Sequence, residues 1–95
     1  MPEMRFRIRW PDGAEESCYS PSLVVKEHLA PGESYPIADF LGRCREALLI
    51  ANDRVKAKYG FACSRALGQL ARIETGCAKF VDQAEARVRV EAFED

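Results

Sequence analysis

The sequence predicts an α+β fold: a small, mainly antiparallel three-stranded sheet, built from a hairpin plus a C-terminal strand, covered on one face by two or three helices. Three observations predict it. The chain starts and finishes in period-two alternation, in "MRFRIRW" (Met4 to Trp10) and "ARVRVEAFE" (Ala86 to Glu94). Between them, from Ile37 to Val81, apolar residues recur at the 3.6-residue period of an amphipathic helix. The tripeptide Pro11-Asp12-Gly13 follows the first alternating stretch at once and turns it back as a hairpin. The predicted order is ββ–ααα–β, a single domain spanning residues 1–95.

In the first strand Met4, Phe6, Ile8 and Trp10 point one way, and Arg5, Arg7 and Arg9 the other. Proline presets the first turn residue, and glycine accepts a left-handed backbone, so a three-residue loop with a glycine bulge fits. That loop opposes Trp10 to Ala14, Ile8 to Glu16 and Phe6 to Cys18, with Arg9 against Glu15 and Arg5 against Tyr19 on the other face. A two-residue Asp-Gly turn would shift the register by one and exchange the faces of the second strand. The bulged loop is preferred because it points Cys18 inward and pairs Arg9 with Glu15.

Ser20 to Pro36 is a connector punctuated by Pro21, Pro31, Gly32 and Pro36. Val24 and Val25 anchor it to the core, with a short extended piece between Leu23 and Leu29. Ile37, Phe40, Leu41, Cys44, Ala47, Leu48 and Ala51 then form one helical stripe. Leu49 and Ile50 fall off it, and Asn52-Asp53 reads as a fresh N-cap. This predicts one helix near 37–49 and a second near 53–59, with one kinked helix as the alternative. Gly60 suits the left-handed residue that closes it. The last helix starts near Ser64 as N-cap, with Gly76 as a weak point. In the final strand Val88, Val90 and Ala92 face one way; Arg87, Arg89, Glu91 and Phe93 face the other.

Composition narrows the function classes. Fourteen basic against fifteen acidic residues leave a formal charge of −1, which argues against a dedicated nucleic-acid binder. The N-terminal residues lack the apolar core of a signal peptide, and the run Ala47 to Ala51 is too short to span a bilayer. The expectation is a cytoplasmic protein with reduced thiols and no membrane partner.

Cys18, Cys44, Cys63 and Cys77 form no CxxC, and no cysteine stands at ligand spacing from His28, so neither a metal nor a cofactor is expected. Cys44 and Cys77 lie on apolar stripes and read as small core hydrophobes. Cys63, just ahead of a helix, is the single weak catalytic candidate. A helix N-terminus and Arg65 would favour its thiolate, but nucleophilic catalysis also needs a base; the reading favours a packed thiol. His28, beside Lys26 and Glu27, reads as solvated. No glycine-rich phosphate loop, HExxH or GxSxG is present. The second constellation is a surface. Arg5, Arg7, Arg9, Arg87 and Arg89 would tile one open sheet face with Tyr19 and Phe93 beside them. Guanidinium forks bind carboxylate and phosphate, and the aromatics would stack bases in a single-strand binder. The plain reading is a solvated face with pairs to Glu15 and Glu91. Leu49 and Ile50, off the buried stripe, mark an interface candidate.

Three blocks, "MPEMRFRIRWPDG", "CYSPSLVVKEHLAPGESYPIADF" and "RVKAKYGFACSRALGQLARIE", resemble the small bacterial nitrogen-starvation-response proteins encoded in nitrilase gene clusters. The resemblance runs over roughly residues 1 to 75. It implies a cytoplasmic bacterial setting in nitrile or cyanide assimilation, beside a radical-SAM protein, an acetyltransferase, a flavin-dependent oxidoreductase and a synthase related to purine enzymes. It supplies no catalytic residues. Where the family pattern carries glycine before "IA", this chain has Leu49, which weakens the helix break proposed there. The reading is a non-enzymatic accessory protein that binds a protein of the same pathway, a homodimer being compatible with it. The alternatives are a thiol-dependent enzyme or carrier using Cys63 and single-stranded nucleic-acid binding on the arginine face.

Overall fold

Strict alternation of large apolar side chains with arginine makes β1 (Met4–Arg9), buried at every second residue. Residues 3–94 are described by the structure, a computed structural model; Met1 and Pro2, part of the N-terminal reading above, and Asp95 lie outside them. The turn behaves as its residues dictate. Gly13 adopts φ 91, the Trp10 amide donates to the Ala14 carbonyl at 2.8 Å, and the Gly13 amide donates to the Trp10 carbonyl at 2.9 Å. The bulged register follows: β2 (Glu15–Ser20) pairs antiparallel with β1 through Arg5↔Tyr19, Phe6↔Cys18, Ile8↔Glu16 and Arg9↔Glu15.

The connector forms a 3-10 helix, Leu23–Glu27, in place of the expected extended piece. Ser22 caps it by accepting from the Val24 amide, and Val24 and Val25 are buried. Next comes a strand that periodicity did not show. β3 (Ser34–Pro36) is three residues long, too short for alternation to register, and it ends in a proline that an edge strand tolerates. It pairs with β4 (Arg87–Glu94), which also lies against β1. The described residues thus form a four-stranded antiparallel sheet of order β2-β1-β4-β3, one strand more than expected.

The two helices proposed between Ile37 and Tyr59 are one, α1 (Ile37–Tyr59), closed by Gly60 at φ 84. No residue there forbids the helix, and Asn52 turns its side chain elsewhere: its Oδ1 accepts the Cys63 amide at 2.7 Å. α2 (Ser64–Ala78) therefore has Cys63, not Ser64, at its N-cap. Gly76 does not end α2. Its missing Cβ makes room for the Trp10 ring, whose nearest atom would lie 2.5 Å from a Cβ built there. Trp10 also stacks on Phe80 and meets Phe40 edge-on, both at 6.1 Å between ring centroids.

Both helices cover one face of the sheet. Phe6, Ile8, Cys18, Val88 and Val90 meet Phe40, Cys44, Leu48, Ile73 and Cys77 in one buried cluster. Each of the larger side chains contributes about 1.5–3 kcal/mol by leaving water. Burial pushes the Cys18 and Cys44 thiols up, and the Cys77 thiol up to about 11.

One strand departs from simple alternation. The β1–β4 register shifts between Arg7 and Ile8, so Glu91 is an extra residue and Phe6 faces Phe93 while Arg7 faces Ala92. A bulge of this kind exchanges the faces of everything beyond it. Phe93 accordingly packs against the core cluster, and Ala92 takes the outward position.

Candidate functional site

The outer face of the sheet carries the predicted arginines, and β1 and β4 are indeed neighbours. The face is an ionic lattice. Arg7 lies 3.5 Å from Glu15 and 3.7 Å from Glu94. Arg9 holds Glu91 at 3.1 Å and Glu15 at 3.5 Å, and Arg89 shares Glu91 at 3.5 Å. Arg87 donates to the Ser34 carbonyl at 3.1 Å. Interleaved charges of both signs give little net field for a polyanion. Phe93 is absent from this face, for the reason given above. Tyr19 is opposite Arg5 but only 8% exposed, because the Arg65 guanidinium lies 3.9 Å from its ring centroid. Among the described residues no aromatic pair is left to stack bases beside the arginines.

Arg5 differs from its strand neighbours. Among the described residues it has no carboxylate partner, and its guanidinium stands 5.9 Å from the Tyr19 ring centroid. α2 runs along the free edge of β2, where the Gln69 side chain accepts the Tyr19 amide at 3.0 Å. This contact satisfies an edge-strand donor that would otherwise be buried unpaired. It also brings Arg65 and Arg72 alongside Arg5. Together with Ser17, Tyr19, Gly68 and Gln69 they line a shallow recess of ≈ 340 Å³. A helical residue three or four positions on shares the same flank, so this cluster had a sequence signal in Arg65, Gln69 and Arg72. Which strand edge that flank meets had none.

The second notable surface is apolar. Leu49 is 42% exposed on α1; Ile50 is half-buried on a different flank. Arg45 reaches Glu74 at 3.1 Å and Asn52 reaches Cys63 at 2.7 Å. Leu49 on α1 and Leu67 on α2, the latter 40% exposed, both lie between these two ties along their helices. At the helix corner Tyr59 is 52% and Phe61 68% exposed, their rings 6.5 Å apart. Between α1 and α2, Phe61 and Ala62 are exposed, and Cys63, expected to be packed, is half-buried. At the far end of α2 a groove of ≈ 460 Å³ opens between Ile37, Leu41, Cys77 and Val81.

His28 is not simply solvated. Its ring contacts the Val24 carbonyl through Nδ1 at 3.1 Å and lies 3.8 Å from Glu46. Its own carbonyl accepts from Arg43 at 2.8 Å, and Arg43 also covers the Tyr35 ring at 4.7 Å. The side chain that meets the Cys63 backbone is Asn52, whose Oδ1 accepts the Cys63 amide, not His28. Among the described residues no group of three His, Cys, Asp or Glu side chains is placed to hold a metal ion. No helix among them is long and apolar enough to cross a membrane.

The family model described as nitrogen starvation-induced protein NitG matches residues 5–93, and the chain belongs to that family. No curated protein and no solved structure matches the chain.

Proposed function

We propose that this member of the nitrogen starvation-induced NitG family is a non-enzymatic accessory protein that binds another protein of the same response. The nitrile-assimilation setting implied by the sequence resemblance supplies the candidate partners. One observation carries the reading: the apolar ledge formed by Leu49, Leu67, Tyr59 and Phe61 stays exposed although the core beneath it is already filled. Exposed aromatic and aliphatic side chains, here with the Tyr59 and Phe61 rings side by side, are what protein interfaces bury. The lattice on the sheet's outer face favours a protein over a nucleic acid, because its arginines are interleaved with Glu15, Glu91 and Glu94.

Co-purification from nitrogen-starved cells tests it, with the wild-type chain and the double variant Leu49→Ser, Phe61→Ser compared side by side. The expected result is one pathway protein retained by the wild type and reduced at least tenfold with the variant, at unchanged circular dichroism. Equal capture by both chains removes the ledge from the interface. If the variant instead dissolves a wild-type dimer in sedimentation equilibrium, the ledge belongs to a second copy and the proposal of a different partner fails.

A further inference from the structure

The recess between β2 and α2 gathers three guanidiniums from two distant parts of the chain, and none of them is fully engaged. Arg5 has no carboxylate partner among the described residues. Arg65 stands 3.9 Å from Glu3 and Arg72 3.5 Å from Glu16. Both distances exceed the roughly 2.7–2.9 Å of a close charge-assisted hydrogen bond, so each fork keeps N–H groups to offer. A second observation points the same way. Gln69, only 9% exposed, spends its oxygen on the Tyr19 amide and leaves its Nε2 donor buried with no acceptor. A buried donor without a partner costs about 1–3 kcal/mol; the Gln69 side chain belongs to the recess lining, and the other buried polar atom without a hydrogen-bond partner among the described residues is Glu16 Oε2. Gly68 keeps the recess open: a Cβ built there meets nothing within 4 Å. The rim already holds a carboxylate of the chain itself, since Glu3 accepts the Tyr19 hydroxyl at 3.0 Å.

We propose that this recess binds the carboxylate or phosphate group of a small free anion. Arg5 and Arg72 supply the charge and exposed Ser17 a neutral donor, Gln69 stands in the wall behind them, and Arg65, stacked on Tyr19, closes one side. The facing negative groups are Glu3, Glu16 and Glu94, the last opposite Arg5 on β4 but turned to Arg7 at 3.7 Å; Glu3, at the rim, is the internal competitor. The site is separate from the apolar ledge and does not depend on it.

Nuclear magnetic resonance of the ¹⁵N-labelled full chain tests it, titrating acetate in one arm and inorganic phosphate in the other at fixed ionic strength. The expected result is a saturable shift of the Gln69 side-chain amide and of the Arg5 and Arg72 Nε–H signals. The arm that saturates at lower concentration identifies the preferred group. Arg5→Gln, at an exposed strand position, weakens binding at least tenfold. Gly68→Leu, which fills the recess without removing a charge, does the same. Glu3→Gln strengthens it several-fold. Shifts that fail to saturate in both arms, or that saturate equally in wild type and Arg5→Gln, overturn the proposal.

Discussion

The two faces of the sheet start from the same alternating strands and end in different physics. The inner face holds Phe6, Ile8, Val88 and Val90 with no exposure to solvent. The outer face holds Arg7, Arg9 and Arg89, each roughly half exposed, in ion pairs. Apolar burial is additive and scarcely depends on salt, whereas exposed ion pairs contribute about 0–1 kcal/mol and are screened. Stability therefore resides on one face, and the other is free to vary. At the β2 edge, where α2 runs beside the strand, the recess gathers Arg5, Arg65 and Arg72, of which only Arg65 and Arg72 have a carboxylate within 4 Å. That is the place where an uncompensated charge is available to a ligand.

The largest test of this division is Gly76→Ala. It drives a methyl into the Trp10 ring and disturbs the inner face through Phe40 and Phe80. A loss of about 3 kcal/mol is expected in urea unfolding, against a gain of about 1 kcal/mol at an unconstrained helical glycine. An unchanged midpoint would mean that the ring moves aside and the inner face is less tightly packed than described.

Alkaline pH is the next lever. Burial holds the Cys77 thiol at about 11, and holds those of Cys18 and Cys44 above their ordinary value of 9.0. A thiol whose pKa is raised in the fold keeps its proton there longer than in the unfolded chain. Its contribution is complete below about pH 9 and is lost as pH rises from there through the folded-state value. The slope is at most about 1.4 kcal/mol per pH unit for each thiol. Urea titrations at intervals from pH 8 to about 11 should show this decline, and Cys77→Ala should make it shallower. A parallel decline in that variant would shift the cause to other groups.

The smallest effect should come from the outer face. Glu91→Gln releases Arg9 and Arg89 together, yet the stability change is expected to stay below about 1 kcal/mol and to vanish at high salt. A larger, salt-insensitive loss would show that Glu91 acts through the bulge geometry, which would undo the contrast between the faces.

Much of this was legible in the chain. The hairpin register, the inward Cys18, the left-handed Gly60 and the buried Cys44 and Cys77 all follow from local rules: alternation, turn chemistry and helical period. Family membership was legible too, from strings rather than from chemistry. β3 was not, because three residues carry no period. The supposed break at Asn52-Asp53 was misread because a capping residue inside a helix finds a distant partner, Cys63.

Local periodicity is written into the chain because backbone geometry and solvent act on each residue where it stands. It determined that Arg5, Arg7 and Arg9 share a face and that Arg65, Gln69 and Arg72 share a flank. Only the tertiary structure decided that a bulge at Glu91 turns Phe93 inward, that Glu15, Glu91 and Glu94 neutralise the middle of the arginine face, and that α2 seals the edge of β2 beside Arg5. Those outcomes depend on which edges and surfaces meet across long stretches of chain, where the gain from packing outweighs any residue's local preference.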